Sequence, residues 1–543
     1  MKLTICFFHT FVLFVAVFVL LGVACSSPVT SSGETPPLSS QACSDGDCPL
    51  GEECEGDACA PVRPTLYPHI QLATALLRHY LEYSEVLWRA NHSDLLIGHT
   101  AKYADQLRAE NPNARLFEYT TFRYYRYPDD AEAWAAENGY STEDFYLHYR
   151  QDVNVPGYES VVLVPGSPPG FVPGWNPNRL PGEPPASAVE GSQARVFGIR
   201  ELGHEPWQLA NICNEGYRKF LIDLMAKHAD GTRSGDPIIS GPVEGIMVDH
   251  GVFYPQFNEG LLEKTNEFYQ LPLDESHAYA IGFEAFYTEL LNGLMTRLGK
   301  NIDILPNYGH AQILTWTDRF SKNIQDITDW AWGEAWITYM GYSHPTTGPN
   351  RAITYEVDYE HGIADMARQA VAGGRRVLGA RDLALSPNGS DRGRLYTLAL
   401  YYLIHNPNTF YLYQSFRGHN CQEHISEWQW NPAVEYDIGQ PAPIPDGTTD
   451  FDGNAGTTEH FEFAVGEDPY DPSLTYHVLA RRFTRGLVVV KMLPLGSVVD
   501  ERSATVHQLD RSYTVLEADG TTSQEPVTEI SIRNNEGIIL VIP

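Results

Sequence analysis

The chain has 543 residues, 43% hydrophobic and 20% charged, enough to build a sizeable core in two or three domains or in one large barrel with appendages. Its 37 Lys and Arg stand against 69 Asp and Glu, a formal net charge of −32. A surface this acidic repels phosphate backbones and anionic headgroups, which argues against nucleic acid as a partner.

The first 25 residues read as a targeting signal. Met1-Lys-Leu-Thr supplies one positive charge, and an apolar run extends from Cys6 to Ala24. Leu20-Leu-Gly-Val-Ala-Cys25-Ser-Ser ends it and resembles a bacterial lipoprotein signal, which implies lipidation at Cys25. An ordinary signal peptide or an uncleaved anchor helix is the alternative. The expectation is an exported protein on the outer membrane or cell surface, or else in the periplasm, touching the membrane only through a lipid anchor. Residues 26–64 form a tether rich in Ser, Thr, Pro and Gly, a composition that buries too little surface to fold. Within it, Cys43, Cys48, Cys54 and Cys59 read as a two-disulfide knot with three possible pairings. Cys213 and Cys421 remain, as one long-range bridge or as two buried thiols.

From residue 65 to 417 short apolar runs alternate with helical patterns. The runs are His69–Thr74, Asp94–Gly98, Arg115–Thr120, Glu244–Asp249, Asn301–Pro306, Ala331–Ile337, Arg376–Arg381 and Thr409–Gln414. Helices are predicted over Tyr103–Glu110, Glu215–His228 with Asn214 as N-cap, Gly282–Leu298, His361–Ala372 and Asp391–Ile404. Eight strands alternating with helices predict an α/β fold, a (β/α)8 TIM barrel, with a doubly wound sheet as runner-up. The long stretch between Phe122 and Asn211, rich in Tyr, Pro, Gly and Trp, is an insertion after the third strand and a candidate lid. Residues 418–473 read as an irregular connection. Residues 474–543 change to short β-branched runs, Tyr476–Arg482, Leu487–Met492, Ala504–Gln508, Ser512–Leu516, Val527–Ile532 and Gly537–Ile542, predicting a C-terminal antiparallel β-sandwich of about six strands.

The carboxyl ends of the strands carry the chemistry. Asp249 ends the fourth strand and Glu334 lies in the sixth, between Trp332 and Trp336. Two carboxyl groups across a glycosidic bond, one acid and one nucleophile or base, are what its hydrolysis needs. An apolar setting between two Trp would raise the pKa of Glu334 toward that of a general acid. Glu118 and Tyr119, Asn307 and Tyr308, Trp332 and Trp336, Arg381 and Tyr413 are the candidate sugar-binding residues on the same rim. The competing readings are an inter-strand salt bridge for Glu334 and a helix cap for Asp249.

Several of these pieces resemble bacterial glycoside-hydrolase-like TIM-barrel proteins. They are Asn111-Pro-Asn-Ala-Arg-Leu-Phe-Glu-Tyr119, Asp144-Phe-Tyr-Leu-His148, the Asn211-to-His228 helix lead-in, Gly245-Ile-Met-Val-Asp249 and Gly333-Glu334-Ala-Trp336, with the tail run Ala480 to Val490. Glu244-Gly245 stands where such proteins usually carry Asp-Gly. The resemblance implies a barrel with a closing β-domain. The function expected is a surface-tethered glycoside hydrolase acting on a carbohydrate polymer, with no cofactor and no metal. The alternative is a non-catalytic carbohydrate-binding lipoprotein on the same scaffold. No His-x-His, His-Glu-x-x-His, Gly-x-Ser-x-Gly, phosphate-loop or dinucleotide motif occurs. The oligomeric state is not legible.

Overall fold

The computed structural model describes residues 52–55, 58–61, 66–67, 69–76, 83–121, 128–149, 210–232, 241–249, 269–270, 278–307, 324, 326–340, 353–355, 374–382, 391–416, 426–428, 430–450, 452–492 and 503–543. Two units emerge, Met1–Val62 and Arg63–Pro543. In the first, Glu52–Glu55 and Ala58–Pro61 pair as an antiparallel hairpin that sets Cys54 opposite Cys59. Cys25, Cys43 and Cys48, with the signal and most of the tether, lie outside the described residues.

The second unit opens with parallel strands in chain order. One sheet runs β1 (Ala73–Leu76), β2 (Leu95–Gly98), β3 (Arg115–Thr121), β4 (Gly245–Asp249) and β5 (Asp303–Pro306). Another holds β6 (Trp330–Met340), β7 (Arg375–Asp382) and β8 (Thr409–Phe416), with short antiparallel strands Ile353–Tyr355 and Ser426–Trp428 at its margins. Parallel bridges join the two sheets at both seams. Ile304 with Asp329 and Asn307 with Trp332 link β5 to β6, and Leu72 with Tyr411 links β1 to β8. The parallel strands therefore form a ring of neighbours with no free edge.

Helices lie in most of the described crossovers. They are α1 (Tyr83–Ala90), α2 (Ala104–Glu110), α3 (Pro128–Asn138), α4 (Glu215–Ala229), α5 (Ala278–Leu298) and α6 (Asp391–Ile404). Asn214 caps α4 as predicted, its side chain accepting from the Tyr217 amide at 2.9 Å. The predicted helix His361–Ala372 lies outside the described residues. Residues 128–149, at the start of the candidate lid, are part of the body: Trp134 and Phe145 pack against Tyr217 and Phe220 of α4. The rest of that insertion, 150–209, lies outside the described residues.

Alternation divides each strand between two cores. Leu95, Ile97, Phe117, Met247, Leu305, Trp332, Val377, Phe410 and Leu412 fill the ring's interior, while Leu96, Leu116, Ile246, Ile304, Leu378, Tyr411 and Tyr413 face the helices. Gly245 is required on the inner face, because a Cβ there would lie 2.4 Å from the Phe117 ring. At the amino-terminal end Arg115 sits 3.6 Å from Asp303, and both Arg115 and Arg375 lie over the buried Trp330 ring, at 6.0 and 5.3 Å. Burial pushes the Asp303 carboxyl up, and the two guanidiniums pull it back. That end of the ring is plugged.

The tail forms one six-stranded antiparallel sheet in the order β9 (Phe461–Glu467), β10 (Thr475–Phe483), β11 (Gly486–Met492), β14 (Glu536–Val541), β12 (Thr505–Val515), β13 (Val527–Ile532). Two corrections to the sequence reading follow. The first strand, β9, lies inside the stretch read as irregular connection. The two short strands expected over Ala504–Leu516 are one, β12, which pairs with β13 along Thr505–Tyr513 and with β14 at Thr514 and Val515. Its change of partner curls the sheet, so that Ile530 and Ile532 of β13 share a core with Val478 and Val489. The opposite face covers α6: a Cβ on Gly537 would meet the Ala399 Cβ at 2.5 Å. Arg481, buried at 6% exposure, fastens the joint. Its guanidinium donates to the carbonyls of Tyr402, Leu403 and His405 at the carboxyl end of α6 and to that of Thr458 just before β9, at 2.7–3.2 Å.

Candidate active site

Asp249 is the last residue of β4 and follows Met247 on the inner face, so its carboxylate stands inside the mouth of the ring. Both oxygens are held. The Tyr119 hydroxyl of β3 donates to Oδ2 at 2.8 Å, and Asn307 Nδ2, just past β5, donates to Oδ1 at 2.9 Å. Asn307 is itself fixed by its amide, which donates to the Val248 carbonyl at 2.8 Å, and by its bridge to Trp332. The His99 ring meets the Tyr119 ring edge-on at 5.7 Å. Three neighbouring strands thus converge on one carboxylate. Two neutral donors on it favour its ionised form.

The predicted rim residues divide by strand parity. Tyr119 and Asn307 are inside and orient Asp249. Trp332 is inside and fully buried, one layer down, as part of the floor. Glu118 is not on the substrate side: it faces the helices, where its Oε2 accepts from the Ala101 amide at 2.7 Å and tethers the turn that opens α2. Tyr413 is likewise turned outward, lining a small crevice with Leu72, Trp430 and Val434. Tyr308 lies outside the described residues. Glu334, Trp336 and Arg381 are placed as positions on β6 and β7; their side chains lie outside the described part of the structure.

The backbone at Glu334 is irregular. Gly333 pairs with Leu378 and Ile337 with Ala380, so β6 uses four residues where β7 uses two. Strict alternation between Trp332 and Trp336 therefore fails across this bulge, and such irregularities re-aim side chains at sheet ends. Residues not singled out from the sequence also belong to the mouth. Thr121 follows Tyr119 on β3 and Gln414 follows Leu412 on β8, while His99, just past β2, stands between the Tyr119 ring at 5.7 Å and Glu118 Oε1 at 3.8 Å. Among the described residues, no three His, Cys, Asp or Glu side chains gather as metal ligands would. Cys213 is buried against α5, its thiol pushed up to about 12 by burial.

No family model matches the chain, and no curated protein matches it in sequence. Among solved structures, the trehalose-6-phosphate hydrolase of Bacillus licheniformis is similar at a TM-score of 0.41 and 10% identity, over 87% of this chain and 98% of that one. A debranching enzyme of Nostoc punctiforme is similar at 0.33 and 9% identity, over 88% of this chain and 97% of that one. Likenesses this loose decide neither fold nor chemistry.

Proposed function

We propose that this chain is a glycoside hydrolase built on a (β/α)8 barrel, with Asp249 as nucleophile or base and Glu334 as the proton donor. The observation that carries the reading is the clamp on Asp249. A carboxylate at the open end of a parallel ring, with each oxygen accepting from a neutral donor, is oriented and kept charged. That is the state a nucleophile or base needs and an acid does not. Glu334, on β6 beside the bulge, takes the acid's part, protonating the leaving oxygen as the glycosidic bond breaks. The floor of Trp332, Met247 and Leu412 supplies the dry, apolar base under the reacting centre. The signal-like run ending at Cys25 and the Ser- and Pro-rich tether support an exported, lipid-anchored enzyme acting on an extracellular polysaccharide.

The test is a soluble form starting near Pro61, incubated with a panel of polysaccharides beside Asp249→Asn and Glu334→Gln. The expected result is release of reducing ends by the parent and a loss of at least about a thousandfold in both variants at unchanged folding. Turnover that survives in either variant refutes its assigned role. Binding of a glycan without any turnover supports the non-catalytic carbohydrate-binding alternative instead.

A further inference from the structure

Inside the mouth, the ring is filled unevenly. Ile97, Met247, Trp332 and Leu412, from the alternate strands β2, β4, β6 and β8, belong to one interior core. Two residues further along β4 and β8 come Asp249 and Gln414; β2 ends at Gly98 and on β6 the bulge intervenes. In a ring of eight, β4 and β8 stand opposite one another, so Gln414 faces Asp249 across the opening. The odd strands set what lies between these levels. Beside Asp249 they place Tyr119 and Asn307, which fill the space and brace the carboxylate. Flanking Gln414 they place Ala75 on β1 and, two residues past the inward Val377, Gly379 on β7. Arg381, the register partner of Gln414, follows Gly379 on β7, so small residues stand one level below it and an arginine position stands beside it.

Gln414 is fully buried, and among the described residues neither its amide oxygen nor its amide nitrogen has a hydrogen-bond partner. β8 stays in register with β7 through Ser415, so no irregularity turns the side chain away from the interior that Phe410 and Leu412 occupy. An amide left unpaired at both ends costs a few kcal/mol of desolvation unless something completes it. Among the described residues the buried hydroxyl of Thr121, the register partner of Asp249, has no partner, and neither has the Trp332 indole N–H in the floor below. With the Gln414 amide they offer neutral donors and acceptors together, which suits hydroxyl groups.

We propose that Gln414 is the substrate-recognition residue opposite Asp249, its amide donating to one hydroxyl and accepting from the adjacent hydroxyl of a single neutral sugar ring seated over Ala75 and Gly379. This rests on the glycoside-hydrolase reading and deepens it. A site built to pair two hydroxyls rejects sugars lacking either one, because its own buried amide is then left open.

The test compares wild type with Gln414→Leu, which keeps the volume and removes both polar atoms. Calorimetric titration uses glucose, galactose and mannose and their 2-, 3-, 4- and 6-monodeoxy analogues as probes; turnover is followed separately on whichever polysaccharide the wild type cleaves. Wild type is expected to bind at least one parent sugar and to lose about tenfold or more on removal of either of two neighbouring hydroxyls. Gln414→Leu binds the parent sugar about tenfold or more weakly, no longer distinguishes those two deoxy analogues, and unfolds at an equal or higher temperature when unliganded. A purely structural glutamine would give the reverse: lower stability and unchanged discrimination. Unchanged affinity and kcat/KM in Gln414→Leu, or a wild type that binds none of the sugars, overturns the assignment. Hydrolysis that still depends on Asp249 would in that case leave the carboxylate reading standing.

Discussion

Replacing Arg481 by Met tests whether the tail sheet and the ring are one cooperative body. Met retains most of the aliphatic stem but none of the donors. Four carbonyl acceptors lose their partner, those of Tyr402 at 3.0 Å, Leu403 at 3.2 Å, His405 at 2.7 Å and Thr458 at 3.0 Å. Hydrogen bonds to a charged group contribute about 1.5–3 kcal/mol each, but a guanidinium held under the tail sheet also gives up its hydration, as its pKa, drawn down to about 10 by burial, reflects. Removing it recovers that hydration cost and leaves the acceptors unpaired, three of them at a helix end. Breaking such a buried arrangement from one side costs about 3–5 kcal/mol, a third or more of an ordinary protein's stability. Urea unfolding followed by tryptophan fluorescence is the assay, with the midpoint expected to fall and the tail to melt ahead of the ring. A loss below about 1 kcal/mol, or a single unshifted transition, refutes the account of this joint.

Two further outcomes follow from the geometry. Burial lifts the Asp94 carboxyl from 3.8 to about 6 against the pull of the Leu66 and Leu72 amides, so the folded state holds its proton longer than the unfolded chain does. Its contribution is present in full below pH 3.8 and is lost as pH rises to about 6, up to about 3 kcal/mol; the stability of wild type minus that of Asp94→Asn, measured by urea midpoints, should fall over that window, and a flat or rising difference contradicts it. Tyr119→Phe removes one of the two donors on Asp249. On a cleaved polysaccharide its kcat should drop about 10- to 100-fold with KM little changed, whereas a change confined to KM would make Tyr119 a substrate contact.

Most of the parallel strands are legible because each is a short apolar run closed by Gly, Pro or a polar residue, and α6 reads from Asp391 to Ile404 to the residue; the first strand is the exception, lying at Ala73–Leu76 and overlapping the expected His69–Thr74 only at Ala73 and Thr74. Parity was harder. On β8, Phe410, Tyr411, Leu412 and Tyr413 are all buried, so an apolar pattern gives no sign of which face is the interior, and the inward Gln414 was passed over for the outward Tyr413. Glu118 misled for the same reason, since a carboxylate one place from an inward tyrosine is on the other side of the strand. The bulge at Gly333–Ile337 has no signature beyond a glycine. In the tail, Asp510-Arg511 looks like a turn within an alternating run. The strand continues through it because Asp510 is paired by Arg482 and by the Tyr513 hydroxyl. The strand β9 was hidden by exposed acidic residues, Glu462 and Glu467, at the margin of the sheet.

The place of β14 in its sheet fixes an order of events during synthesis. Residues 536–541 lie between β11, made about fifty residues earlier, and β12. Until they emerge, β11 has one unsatisfied edge and the flank of α6 at Ala399 lacks the strand that covers it, although every strand of the ring already exists. The nascent chain must therefore hold that flank open while the intervening residues are made, a stage at which a holding chaperone has something definite to grip.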